Sequence, residues 1–345
     1  MNSVNHPWRR FLARLFDLYL YGTLWSIFIM LVFNVNLMNI GNLGKLTNSF
    51  IVFLIMLLIE PLWLRLTGTT PGKAIFGLGI KDKEGRLLSY SRGFERTWEV
   101  IGKGMGYNIP IYCYVRLWKS YRKCSQNEIL PWDEGISYTI KDTRAYRGFV
   151  YISACVITGL ILTIAMSAQI LPPNRGELTV EEFAENFNYY ADYLDIDFGN
   201  KYLDKSGQWA EKASGGTYIA DLGTNAFPEY RYITENGHVT GLYFEVEYKD
   251  TDHWIYPNRN QMILASLSIA CAQEEMRLFS GIPDSIVKYI EYYCLEDFDL
   301  NIAGIEISND ISYEGFTEAG SILVPEGLTV HRNHFRQQFS IKKIN

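Results

Sequence analysis

Seven charged residues lie inside or beside apolar runs, where charge is costly: Arg10, Arg14, Asp17, Glu60, Lys73, Lys103 and Asp133. Arg14 and Asp17 are one helical turn apart and Arg10 lies two turns before Asp17, so the three share a helix face. Two roles fit them. Arg at a cytoplasmic helix end sets orientation, with Asp17 as its neutralising partner. Alternatively, Asp17 meets Lys73 or Asp133 in a polar cluster where helices converge, and such a cluster could hold a proton or an ion. Glu60 sits about 7 Å before Arg65 at the usual 1.5 Å helical rise. A carboxylate buried at that depth could take up a proton or coordinate a cation. Its structural role would be to satisfy backbone groups freed by Pro61, or to pair with Lys103.

Other chemistries leave no mark. His6, His238, His253, His331 and His334 do not form a metal-ligand pattern. There is no Ser-centred elbow, phosphate loop or Cys-x-x-Cys pair, so a non-enzymatic protein without cofactor or metal is expected. Gly102-Lys103-Gly104-Met105-Gly106 lacks P-loop spacing and bends a membrane segment instead. Cys271 and Cys294 each lie on an apolar helix face. They are either buried thiols or, if their helices are adjacent and antiparallel, a disulfide.

The charge is divided along the chain. Residues 1–147 hold 19 Lys and Arg against 10 Asp and Glu, residues 175–345 hold 13 against 28, and none lies between. A basic half and an acidic half joined by an uncharged apolar span read as two sides of a bilayer. The Lys and Arg of the first half flank apolar runs instead of forming one solvated patch, which argues against a nucleic-acid partner.

Four apolar runs carry the membrane reading. Residues 18–38 and 49–66 are expected to cross, with the N-terminus cytoplasmic because Lys45 alone charges the loop between them. Residues 100–118 contain Lys103, three glycines and Pro110 and have basic ends. A re-entrant or interfacial hairpin breaking near residues 104–110 fits better than a crossing. Residues 149–171 form an uncharged stretch that exits to the outside, followed by the stiff Pro172-Pro173 spacer.

Three motifs punctuate these runs: residues 9–17 (Arg-Arg-Phe-Leu-Ala-Arg-Leu-Phe-Asp), residues 69–77 (Thr-Thr-Pro-Gly-Lys-Ala-Ile-Phe-Gly) and Pro131-Trp132-Asp133. Over residues 8–140 the chain resembles the RDD family of integral membrane proteins, whose Arg-Asp-Asp set falls on Arg10, Asp17 and Asp133. The resemblance implies a helical membrane core and, as proposed for some relatives, transport or ion exchange. The chain departs from the family pattern in that about half of it follows the core.

That second half, residues 175–345, reads as one extracytoplasmic α+β domain with an antiparallel sheet, set off from a membrane domain (1–147) by a last helix and spacer (148–174). Thr179 and Glu182 have capping-box spacing, and Asn236-Gly237 marks a hairpin. Residues 260–279 and 283–294 read as amphipathic helices; residues 300–308, 321–324 and 338–344 read as strands. Two functions are expected of such a protein. One is an anchor or scaffold that presents the acidic domain to a protein or envelope partner. The other is ion or proton transport through the core, which with so few segments calls for a homo-oligomer in the lipid bilayer.

Overall fold

The first apolar run folds as α1 (Pro7–Phe33), and the helix starts well before residue 18. The Arg-rich stretch continues the helical pattern, with Ala13, Phe16, Asp17 and Tyr21 buried along one face. α2 (Asn42–Thr67) runs through Pro61 and ends where Gly68 turns left-handed and donates its N–H to the Leu64 carbonyl. In the computed structural model, residues 6–38, 40–212, 227–274, 276–326 and 332–344 are described. They form two units, Met1–Phe33 with Ile40–Ala165, and Asn34–Asn39 with Met166–Asn345.

In the first unit, Thr70 caps the short α3 (Pro71–Ile75) by accepting from the Lys73 N–H, with Pro71 at the first helical position. β1 (Leu78–Asp82) pairs antiparallel with β2 (Ile136–Ile140). Between them the stretch expected as one membrane hairpin is broken in the anticipated place. α4 (Tyr90–Glu99) runs into a π turn at Val100–Gly104 and a 3-10 turn at Gly106–Asn108, and α5 follows (Tyr112–Ser125). Gly106 has φ of 61° and is followed by Tyr107, Asn108 and Ile111 at 52, 56 and 69°, so most of the left-handed residues of the reversal lack glycine's freedom. α6 (Tyr146–Gln169) is apolar on all sides and mostly exposed, as a lipid-facing helix is. α1, α2 and α6 are long and apolar enough to cross a membrane.

The second unit begins with α7 (Val180–Tyr193), whose Thr179–Glu182 capping box is formed in both directions. β3 (Lys201–Leu203) and β4 (Trp209–Glu211) make a small hairpin. β5 (Arg231–Glu235) and β6 (His238–Lys249) meet at Asn236-Gly237, both left-handed. Next come α8 (Arg259–Ala270) and α9 (Ile282–Tyr293). β7 (Phe298–Ile302), β8 (Ile305–Glu314) and β11 (His334–Lys343) complete an antiparallel sheet in the order β5-β6-β11-β8-β7. β9 (Phe316–Ala319) and β10 (Ile322–Pro325) form a separate ribbon.

Period-two alternation places Leu242 and Phe244 of β6, Ile305 and Ile307 of β8, and Phe339 and Ile341 of β11 in one core. Phe183, Phe187 and Tyr190 of α7 join the same core, as do Ile286 and Ile290 of α9. Two expected elements differ. α8 stops at Ala270, and every residue from Met262 to Ala270 is buried, so it is a core helix and not an amphipathic one. Residues 300–308 are a hairpin, turned at Ala303-Gly304 (φ 51 and 71°) with no Asn or Asp to mark it. A fragment of residues 172–345 is predicted to unfold cooperatively in urea, and Phe244→Ala to lower its stability by about 3–5 kcal/mol. A non-cooperative transition, or a loss under about 1 kcal/mol, would contradict this packing.

Candidate functional site: a buried ion cluster

The cluster is built where α1, α2, α3 and α4 meet. Asp17, fully buried on α1, accepts from the Thr70 hydroxyl (2.6 Å) and the Gly72 N–H (2.7 Å) at the start of α3. Lys73 Nζ lies 3.7 Å from the same carboxylate. That geometry needs a glycine: a Cβ on Gly72 would sit 2.0 Å from the Ala13 carbonyl oxygen, so any side chain would push α3 off α1. The Pro-Gly-Lys sequence thus supplies in turn a helix start, a close approach and a charge.

Glu60, also fully buried, is the hub. Its carboxylate takes both arms of Arg14, one of them at 2.9 Å, together with Lys73 Nζ at 2.8 Å and Arg96 Nη1 at 3.4 Å. Arg96 extends the network to Asp133 (3.2 Å) and to the Tyr138 hydroxyl (2.6 Å). Arg10 closes it, bonded to Asp133 and stacked 4.2 Å from the Tyr138 ring centre. Four cations therefore face three carboxylates. α4 can bring Arg96 in because Gly93 packs on Pro61, where a Cβ would meet the proline Cα at 3.0 Å.

Six of the seven expected residues converge, and Lys103 does not. It lies on the outer side of the π turn, half exposed, and pairs with Glu99 one turn away, so Arg96 takes the place beside Glu60 considered for it. Glu60 is likewise no isolated carboxylate, since every close partner of it is a cation or donor. Thr70, Arg96 and Tyr138 are the members that sequence reasoning missed. Arg96 had one signal, its place on the Gly93, Thr97, Val100 and Gly104 stripe, where a charge interrupts a buried face. A neighbouring clamp was also missed: Arg147 grips Asp142 and donates to the Ala74 and Ile75 carbonyls at the end of α3.

Cys271 and Cys294 are free and buried. Cys271 lies beside the Tyr190 hydroxyl and Cys294 contacts the Glu291 carbonyl, so each thiol has its own environment and no disulfide joins them. Among the histidines, His238 sits by Glu177 and His334 by Glu247, and His331 lies outside the described residues.

The model of the RDD family matches residues 4–171. This membrane half belongs to the RDD family. The match runs past residue 140 to take in α6, so the family region is longer than the 8–140 expected from motifs, and the unit with the five-stranded sheet lies outside it. Arg10, Asp17 and Asp133, on which the resemblance placed the Arg-Asp-Asp set, all belong to the one buried network. Comparison with curated proteins and with solved structures gives no match.

Lys73 outside the spanning helices has a perturbed proton equilibrium. Burial pushes its ammonium down to about 8, against the pull of Glu60, which favours the charge. Below that pH the folded RDD half keeps a proton there at a cost. Between about 8 and the ordinary value of 10.5 only the unfolded chain holds it, so this group's contribution to stability rises with pH across that window. Thermal unfolding in detergent is predicted to show that rise in the native chain and not in Lys73→Arg; parallel pH profiles would contradict it. Glu60→Gln is predicted to cost about 3–5 kcal/mol, since it leaves three buried cations without their shared anion. Unchanged thermal unfolding of that variant would exclude the hub role.

Proposed function

We propose that this RDD family membrane protein is a non-enzymatic anchor that presents its acidic domain outside the cytoplasm to a basic or cationic partner in the envelope. The observation that carries this reading is the commitment of Asp17, Glu60 and Asp133: each already accepts from fixed donors on other elements. A network so satisfied ties helices together and leaves no carboxylate free to exchange an ion. Ion or proton transport is the weaker reading for that reason, and because the three candidate spanning helices among the described residues give a single copy few walls for a path.

The charge division supports the orientation. Of the 19 Lys and Arg of residues 1–147 only Lys45 falls between the first two apolar runs, the others lying in or beside the segments this orientation keeps cytoplasmic, and the 28 Asp and Glu of residues 175–345 follow the last apolar helix. An excess of 15 negative charges favours cationic surfaces and makes binding weaken as salt rises.

Two measurements test this. An impermeant thiol reagent applied to intact cells is predicted to label Cys introduced at exposed Ser206 and to spare Cys introduced at Ser120; the reverse pattern would overturn the orientation. Vesicles holding the full chain are predicted to show no proton or cation flux above protein-free vesicles. Flux that Glu60→Gln abolishes in a folded protein would establish transport instead.

A further inference from the structure

The four cations of the ion cluster share a feature that pairing alone does not explain. Arg10, Arg14, Lys73 and Arg96 all line one cavity of about 720 Å³ in the RDD half, whereas Asp17, Glu60 and Asp133 do not. The cavity therefore meets the cationic side of the network, with the carboxylates behind it. Among the described residues the cluster holds one more cation than carboxylate. Arg96, 4% exposed, also has a buried Nε without a hydrogen-bond partner among the described residues. A buried guanidinium N–H left unpaired is costly, and a small turn of the Arg96 side chain toward an acceptor oxygen in the cavity would relieve that cost.

The rest of the lining is of the opposite character. Phe11, Leu117, Trp118, Tyr121, Leu130 and Trp132 form an apolar, largely aromatic wall that would gain nothing from a hydrated ion. At the rim, Trp8 and Tyr114 are 63% and 73% exposed, the amphipathic ring types that sit at headgroup depth. A site with basic groups at one end and an apolar wall at the other, within a unit built on helices of bilayer length, matches one class of molecule.

We propose that this cavity holds one anionic glycerophospholipid, its phosphate toward Arg10, Arg14, Lys73 and Arg96 and an acyl chain along the α5 wall. Arg is suited to that role because its fork can give two parallel bonds to phosphate while retaining a carboxylate partner. Zwitterionic lipids carry a cationic group that would face the same cluster, so the site discriminates by charge. The inference concerns the RDD half alone and stands whether or not the acidic domain has a partner.

The test uses the full chain purified in detergent, with phosphatidylglycerol, phosphatidylcholine and inorganic phosphate as probes. Native mass spectrometry is expected to retain one phosphatidylglycerol per chain, and the thermal midpoint to rise saturably with that lipid but not with phosphatidylcholine. Ser120→Trp, which fills the wall without touching the cluster, is expected to weaken binding by at least about tenfold, or about 1.4 kcal/mol. Leu117→Trp serves the same purpose should Ser120→Trp not fold. Equal stabilisation by the two lipids, unchanged binding in the filled variant, or the same shift from inorganic phosphate as from phosphatidylglycerol would each overturn the proposal, the last by showing a free-anion site.

Discussion

A carboxylate with no solvent contact, Glu60, sets the terms for the whole RDD half. Taking it out of water costs several kcal/mol, and only close, well-oriented cations can offset that. Arg14 comes from α1, Lys73 from α3 and Arg96 from α4, so satisfying this one group fixes three elements against α2. Asp133 repeats the logic with Arg10 and Arg96 and joins the segment before β2 to the same knot. In hydrocarbon the apolar effect gives helices little reason to prefer each other over lipid, so interactions of this kind carry the specificity of assembly.

The close approaches follow from that constraint. Lys73 reaches Glu60 only if α3 lies against α1, which Gly72 permits, and Arg96 reaches it only if α4 lies against α2 at Pro61, which Gly93 permits. Arg147 then holds the end of α3 by its carbonyls. The segment after α4 breaks into a π turn and left-handed residues, and α5 leaves much of its aromatic surface uncovered, including Tyr114 and Trp118. The acidic unit obeys different physics: alternating apolar residues of β6, β8 and β11 close a water-driven core around Phe183, Phe187 and α8.

Much of this architecture is legible from residues alone, because its signals are local. Apolar run length marks the helices, Thr179 with Glu182 marks the start of α7, and Asn236-Gly237 marks the β5–β6 turn. Charges within apolar runs single out Glu60, Asp17 and Lys73 in the same way. What is not legible depends on partners distant in sequence. The stripe of Gly93, Thr97, Val100 and Gly104 marks the face on which Arg96 turns inward, but nothing local names Glu60 as its partner. Tyr138 reaches the cluster only through the pairing of β2 with β1, and α8 is buried on all sides only because the sheet and two other helices surround it. The Ala303-Gly304 turn has the usual glycine second but a left-handed alanine where Asn, Asp or Gly is expected, so the two-residue signal is incomplete.

The central claim is that the RDD charges act as one structural clamp. A double-mutant cycle on Arg10→Met and Asp133→Leu, read by thermal unfolding of the full chain in detergent, tests it most directly. The clamp predicts a coupling energy of about 1–3 kcal/mol, with the double variant recovering part of what either single variant loses. Additive losses within about 0.5 kcal/mol would show that the two residues act independently and would contradict the account.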